Sequence, residues 1–371
     1  MADEGTATEN QDKSPRGKGR GRSFFAIDRD LWPQLWTLET ANRLNFVMSY
    51  LVLLSGTGAD HQLTKWSAKA IEEHVGIGKP RGQRAIEELI DHGLVSRTER
   101  STRLQPQYRL PALDREAEPI FLPVQLVTGL ANETPILRRI RETGDALILR
   151  MLVDLYAMIE LDATFGVPIA NLRQNPAEEH PARKIFEAGA NAVWAMEYGG
   201  QQGAAGDWTR IHRTSDEGDP WALFWERVAT LTKIGALIFE PWIYDGEPFD
   251  AEPLFPVDPA AHYPIQNVDK ITALTRSAYA AAAELAGERT YLLDRAEGDI
   301  LVPLPTHHRP PEVRGVAKLR IEADTPGRRR AYAQRMERID AYSEAFAILK
   351  LDAENGRFDK PLRVFRPASR P

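Results

Sequence analysis

The chain holds 371 residues, 43% hydrophobic and 27% charged, with a formal net charge of −6 at pH 7; that length predicts two or three domains. It contains no cysteine, which excludes disulfide scaffolds, thiolate zinc sites, iron–sulfur clusters and cysteine nucleophiles. No stretch approaches the roughly 18 consecutive apolar residues of a membrane span, and the polar start lacks the apolar core of a secretion signal, so a cytoplasmic protein that engages no membrane is expected.

The average charge conceals a division. Residues 1–115 hold 17 Lys and Arg against 15 Asp and Glu, and the remaining residues 30 against 38. Asp3, Glu4, Glu9 and Asp12 all precede Lys13, so 13–115 alone stands at 17 against 11. A basic part on an acidic body is the distribution expected of a nucleic-acid module.

Met1 to Arg22 ends in "SPRGKGRGR" and has nothing large and apolar to anchor it, so it reads as a disordered basic tail, either solubilising or adding phosphate contacts. Order is expected from "SFFAIDRDLWPQLW", where Phe24, Phe25, Leu31, Trp32 and Trp36 need burial. Leu44, Val47, Met48, Leu51, Val52 and Leu54 follow helical spacing, and Gly56-Thr-Gly58 ends that helix. "QLTKW" predicts one short strand. Ser67 is then an N-cap whose hydroxyl accepts from a free N–H of the first turn. A helix over Ala68–His74 buries Ala70, Ile71 and Val75, and Gly76-Ile77-Gly78 is the turn. The next helix runs over Lys79–His92 with Gly82, Ala85, Ile86, Leu89 and Ile90 inward, and Gly93 follows as its C′ residue. "LVSRT" and "PQYRL" predict two strands joined by a basic loop.

This order resembles the winged helix-turn-helix domains of bacterial regulators and of phage or plasmid replication proteins. The likeness is carried by "WSAKAIEEHVGIGKPRGQRAIEELIDHGLV" and the hairpin after it, over about 40–110. It departs at Gly78, where such domains often place Ser or Thr, so no side chain there can donate to a phosphate.

Farther on, "EPIFLPVQLVTGL" reads as an extended crossover. "ETPILRRIRETGDALILRMLVDLYAMIEL" reads as helix broken near Gly144. "RQNPAEEHPARK" reads as loop, "ANAVWAMEY" as strand or short helix, and "YGGQQGAAGDW" as a flexible loop. A helix over Pro220–Ile234 passes through Gly235 into "ALIFEPWIY", with a turn at Gly246 and then "EPLFPV". "AIEELIDHGLVSRT" and "RVATLTKIGALIFEP" share one rhythm, as do "FVMSYLVLLSGTG" and "LILRMLVDLYAMI". A second, degenerate winged-helix unit is therefore expected. An alanine-rich helix over Val268–Leu285, strand-like "TYLLD" and "DILVPLP", and a long helix opened by Thr325-Pro326 complete the chain.

The expected fold class is thus α+β, mainly helical. Its divisions are a tail (1–22), a winged-helix DNA-binding domain (23–112), a second winged-helix-like domain (113–260) and a C-terminal α/β extension (261–371). Lys79, Arg81, Gln83 and Arg84 lie on the helix face away from Ile86, Leu89 and Ile90. The resemblance implies that the start of this helix reaches base edges in the major groove. Arg97, Arg100 and Arg103 of the hairpin would track the DNA backbone or a minor groove. Trp221, Phe224 and Trp225 open the matching helix of the second unit, where aromatics read as core or interface.

Enzymatic readings find no support. A P-loop around Gly78-Lys79 would need Gly at 73 and Ser or Thr at 80, where Glu73 and Pro80 stand. His307-His308, as neighbours in a strand, would point to opposite faces. No catalytic residue, metal or cofactor is expected. The expected function is sequence-specific binding of double-stranded DNA, as a transcription regulator or a replication initiator of a phage, plasmid or mobile element, with a homodimer formed through the C-terminal part. The alternative is a protein-interaction or assembly protein whose winged helix is purely structural.

Overall fold

The computed structural model describes residues 23–58, 60–114, 118–161, 164–175, 182–199, 202–206, 210, 212, 219–246, 251–263 and 268–364. The basic tail and positions 176–181 of "RQNPAEEHPARK" lie outside these residues. What is described is a mixed α+β fold.

The first part begins with strand β1 (Phe24–Ile27) and a single helical turn, α1 (Leu31–Gln34). Helix α2 (Arg43–Ser55) starts where the Asn42 side chain accepts from the Asn45 N–H at 2.9 Å. Eleven of its 13 residues are buried, the mark of a helix packed on all sides. Strand β2 (Leu63–Thr64) leads to α3 (Ala68–Val75), capped by Ser67, whose Oγ accepts from the Lys69 N–H at 3.4 Å. Helix α4 (Lys79–Asp91) buries Gly82, Ala85, Ile86 and Leu89, while Ile90, expected inward, is only half-buried. Strands β3 (Ser96–Arg97) and β4 (Tyr108–Arg109) join β2 in an antiparallel sheet of order β2-β4-β3.

The expected extended crossover is a strand and a helical turn: β5 (Ile120–Pro123) and α5 (Gln125–Thr128). β5 pairs antiparallel with β1, setting Phe25 opposite Leu122 and Ile27 opposite Ile120. Helices α6 (Ile136–Thr143) and α7 (Ala146–Met158) flank Gly144, as the sequence predicts. One hydrophobic cluster joins residues of α2, α3 and α4 to residues of α6, α7 and later elements. The 112/113 division therefore falls within a continuous core.

The second part holds β6 (Arg173–Gln174), β7 (Arg183–Ala188), β8 (Asn191–Met196), α8 (Pro220–Lys233), β9 (Leu237–Tyr244) and β10 (Pro253–Pro256). It continues with α9 (Lys270–Ala286), α10 (Tyr291–Asp294), β11 (Ile300–Pro305), β12 (Glu312–Leu319) and α11 (Pro326–Glu354). "RQNPAEEHPARK", read as loop, contributes β6 and the start of β7. "ANAVWAMEY" is strand. "TYLLD", read as strand-like, supplies the helical turn α10, because so short an apolar run carries no decisive period. Among the described residues of the glycine-rich segment, the Ala204 carbonyl accepts from the Arg173 N–H of β6 at 3.1 Å.

β12, which no sequence pattern announces, is one of the two inner strands of the sheet β10-β9-β12-β6. Its run "EVRGVAKL" carries charges that are buried and paired: Arg314 meets Glu312, and Lys318 meets Glu240. Such a strand is polar in sequence and internal in space. A second antiparallel sheet, β11-β8-β7, is covered by α9, against which α11 packs.

The repeated rhythm has a local counterpart. After α4, the Gly93 N–H donates to Ile90 O and the Leu94 N–H to Leu89 O, both at 2.9 Å; after α8, the Gly235 N–H donates to Thr232 O and the Ala236 N–H to Leu231 O, both at 2.9 Å. Both glycines have φ of 72°, the left-handed conformation of a helix C-terminal cap. The segment β6-β12-β9 also repeats the antiparallel order of β2-β4-β3. The match is partial. Between α7 and α8 the described residues hold a β-hairpin and no counterpart of α3, and β10, α9, α10 and β11 are inserted between β9 and β12.

Candidate nucleic-acid interface

The site is built by a helical hairpin and a β-hairpin on one core. Ile71 and Val75 of α3 and Ile86 and Leu89 of α4 are buried together, which fixes the hairpin and leaves Glu72, Lys79, Arg81 and Arg84 exposed. Gly82 permits the close approach: a Cβ there would lie 3.3 Å from Ile71 Cγ2. The His74 imidazole stacks on Trp66 with centroids 4.6 Å apart. Desolvation there lowers its pKa, only partly countered by Glu73.

Lys79, Arg81 and Arg84 are exposed at the start of α4. None of the three has a carboxylate partner among the described residues. Gln83 differs: it is half-buried and donates to Glu87 Oε1 at 3.2 Å. Arg97 is exposed and stands opposite Tyr108 across the β3–β4 ladder. Burial pushes the Tyr108 hydroxyl up, and the neighbouring Arg97 works against that shift.

The loop between β3 and β4 is tied by its own hydrogen bonds. The Thr98 N–H donates to Gln107 O and the Thr102 N–H to Gln105 O, both at 3.1 Å. The Gln105 N–H donates to Thr102 Oγ1 and the Gln107 N–H to Ser101 Oγ, both at 3.0 Å. These bonds hold Arg103 and Leu104 at the tip. Arg100 and Arg103 are exposed without ion pairs among the described residues. Leu104 is 93% exposed.

One functional neighbour was missed by sequence reading. Gly78 offers α4 no side-chain cap, and Glu72 of α3 fills that role, its Oε1 accepting from the Lys79 N–H at 3.2 Å. A carboxylate therefore sits where a helix start would otherwise receive an anion. A seven-residue separation across a turn carries no cap signature, so nothing local marks it.

Elsewhere the aromatics of α8 divide, with Phe224 and Trp225 buried and Trp221 exposed. His307 and His308 lie in the turn after β11 and not in a strand; their ring centroids are 5.4 Å apart. Among the described residues no group of three or more His, Asp or Glu is placed to hold a metal, and no helix is long and apolar enough to cross a membrane.

No family model, no curated protein and no solved structure matches the chain.

Proposed function

We propose that the chain binds double-stranded DNA sequence-specifically through a winged helix over about 40–110. α4 is the recognition helix and the β3–β4 hairpin is the wing. In this reading the protein acts as a transcription regulator or replication initiator and self-associates through its acidic C-terminal part. The contrast in charge pairing carries the proposal. Arginines of the body such as Arg183, Arg227, Arg314, Arg320 and Arg335 hold ion pairs. Lys79, Arg81, Arg84, Arg100 and Arg103 stand exposed and have none among the described residues. Cations left unneutralised on α4 and on the β3–β4 hairpin are ready for phosphates and base edges. The order β2-β4-β3, with α3 and α4 between β2 and β3 in the chain, supports the winged-helix reading. The matching caps at Gly93 and Gly235 support a degenerate second unit, in which the aromatic start of α8 replaces the basic start of α4.

The test is a salt series on a selected duplex. If Lys79, Arg84, Arg97, Arg100 and Arg103 each neutralise one phosphate, these five contribute about −4 to −5 per subunit to the slope of log affinity against log salt. Arg81→Ala with Arg84→Ala removes the base reader, costs roughly 1–3 kcal/mol on the preferred site and flattens sequence preference. Unchanged binding by that double variant, with melting intact, would remove α4 as a recognition helix. Whether the selected sequence lies in a promoter or in a repeated origin separates regulator from initiator.

The competing reading is a protein-interaction module. It is favoured by Leu104 at the hairpin tip and by the Glu72 carboxylate at the start of α4. It requires that the full chain bind no duplex even at low salt.

A further inference from the structure

A second element brings positive charge to the α3–α4 turn. Gly76 ends α3 with φ of 70°. A Cβ on it would lie 3.2 Å from Arg141 Nη1 and 3.5 Å from Arg138 Nε, so two guanidinium groups converge on one backbone point. Both come from α6, whose Ile136, Leu137 and Ile140 face the core and leave these arginines on the outer side. Arg138 meets Glu142 only across an exposed pair at 3.7 Å, which water screens. Arg141 has no carboxylate partner among the described residues. Arg139 is engaged differently, donating to Ile234 O at 2.8 Å. Two like charges held against the same turn repel each other, and an anion between them relieves that repulsion. Lys79 and Arg81 follow that turn in the first turn of α4.

We infer that α6 is a second DNA-contacting element, with Arg138 and Arg141 binding the phosphate backbone of duplex DNA beside the groove that α4 enters. This rests on the DNA-binding reading and extends it to a helix outside the winged helix. The contact is electrostatic and blind to sequence, so it adds affinity equally on all duplexes.

The experiment uses the full chain and a random-sequence duplex, with affinity measured across a salt series. The Arg138→Gln, Arg141→Gln double variant should reduce the slope of log affinity against log salt by about 1.8, at 0.9 per phosphate, with the melting midpoint unchanged. A charge-matched control, Arg329→Gln with Arg330→Gln at the exposed start of α11, should leave the slope as in the parent. The inference is overturned if the α6 variant keeps the parental slope, or if the control loses as much. If the parent binds and Arg81→Ala with Arg84→Ala weakens it while the α6 variant does not, the DNA reading stands and this extension falls. A parent that binds no duplex defeats both.

Discussion

Glu72 sets two demands against each other at a single residue. Its carboxylate satisfies the Lys79 N–H and so supports the start of α4, where a negative charge stabilises by typically 0.3–1 kcal/mol. The same charge opposes any phosphate approaching that turn. Glu72→Gln retains a carbonyl acceptor and removes the charge. Its unfolding free energy should fall by no more than about 1 kcal/mol, while duplex affinity rises and the salt slope steepens. Calorimetry and a binding titration on one sample read both, and weaker DNA binding by the variant would refute the competition. His74 offers a pH test beside it. Desolvation against Trp66 places its folded pKa below the unfolded value of about 6.5. The unfolded chain then takes up the proton first. Stability is unaffected above that pH, declines as pH falls through it and levels off below the folded pKa. The melting midpoint should drop more between pH 7.5 and pH 5.5, values chosen to bracket about 6.5, in the parent than in His74→Gln. Equal drops would show that His74 contributes nothing.

At the scale of elements, β9, β12 and α11 are joined by one buried ionic group. Glu240 on β9 pairs with Lys318 on β12 and Arg335 on α11. Burial pushes the Glu240 carboxyl up, and the two cations more than offset this, holding it below the usual range. The same burial brings Lys318 down to about 8. Lys318 also lies over the Trp242 ring at 5.3 Å. Removing one partner of such a group leaves buried charge uncompensated, at a cost of about 3–5 kcal/mol. Glu240→Ala should lower the urea midpoint accordingly, and a loss under about 1 kcal/mol would place the group among weak surface pairs. The β12 strand also marks a limit of pattern reading. Alternation predicts strands that are polar outside and apolar inside, and Arg314 and Lys318 are buried nonetheless, Arg314 against Glu312 of its own strand and Lys318 against Glu240 of β9.

At the scale of the molecule, the basic module is not separable from the body at residue 112. β1 pairs with β5, and α2 packs against α5, α6 and α7. A fragment ending at 112 loses those partners and exposes a helix buried on every side. Burial of a Leu or Val side chain is worth about 1.5–3 kcal/mol, and stripping several exceeds the margin of a small domain. The fragment 1–112 should show no cooperative melting transition. A sharp transition near the parental midpoint would restore an independent N-terminal unit. Shared packing also couples the two parts, so the phosphate contacts inferred for α6 would bear on the same rigid core as α4.

The sequence by itself determined what is written locally. Ser67 before α3, Gly76 and Gly93 after α3 and α4, Gly144 between α6 and α7, and Thr325-Pro326 before α11 each act on backbone groups within about a turn, so these helices are legible in sequence within a few residues, whereas the short turns α5 and α10 are not. The exposure of Lys79, Arg81 and Arg84 followed from the same helical period. Tertiary structure alone decided the rest. It paired β1 with β5, placed β12 inside a sheet, set Glu72 on the Lys79 N–H and brought Arg138 and Arg141 onto Gly76. Those contacts join segments whose neighbourhood no periodicity records. A charge reads as solvated in sequence until a distant partner, or a distant like charge, is folded against it.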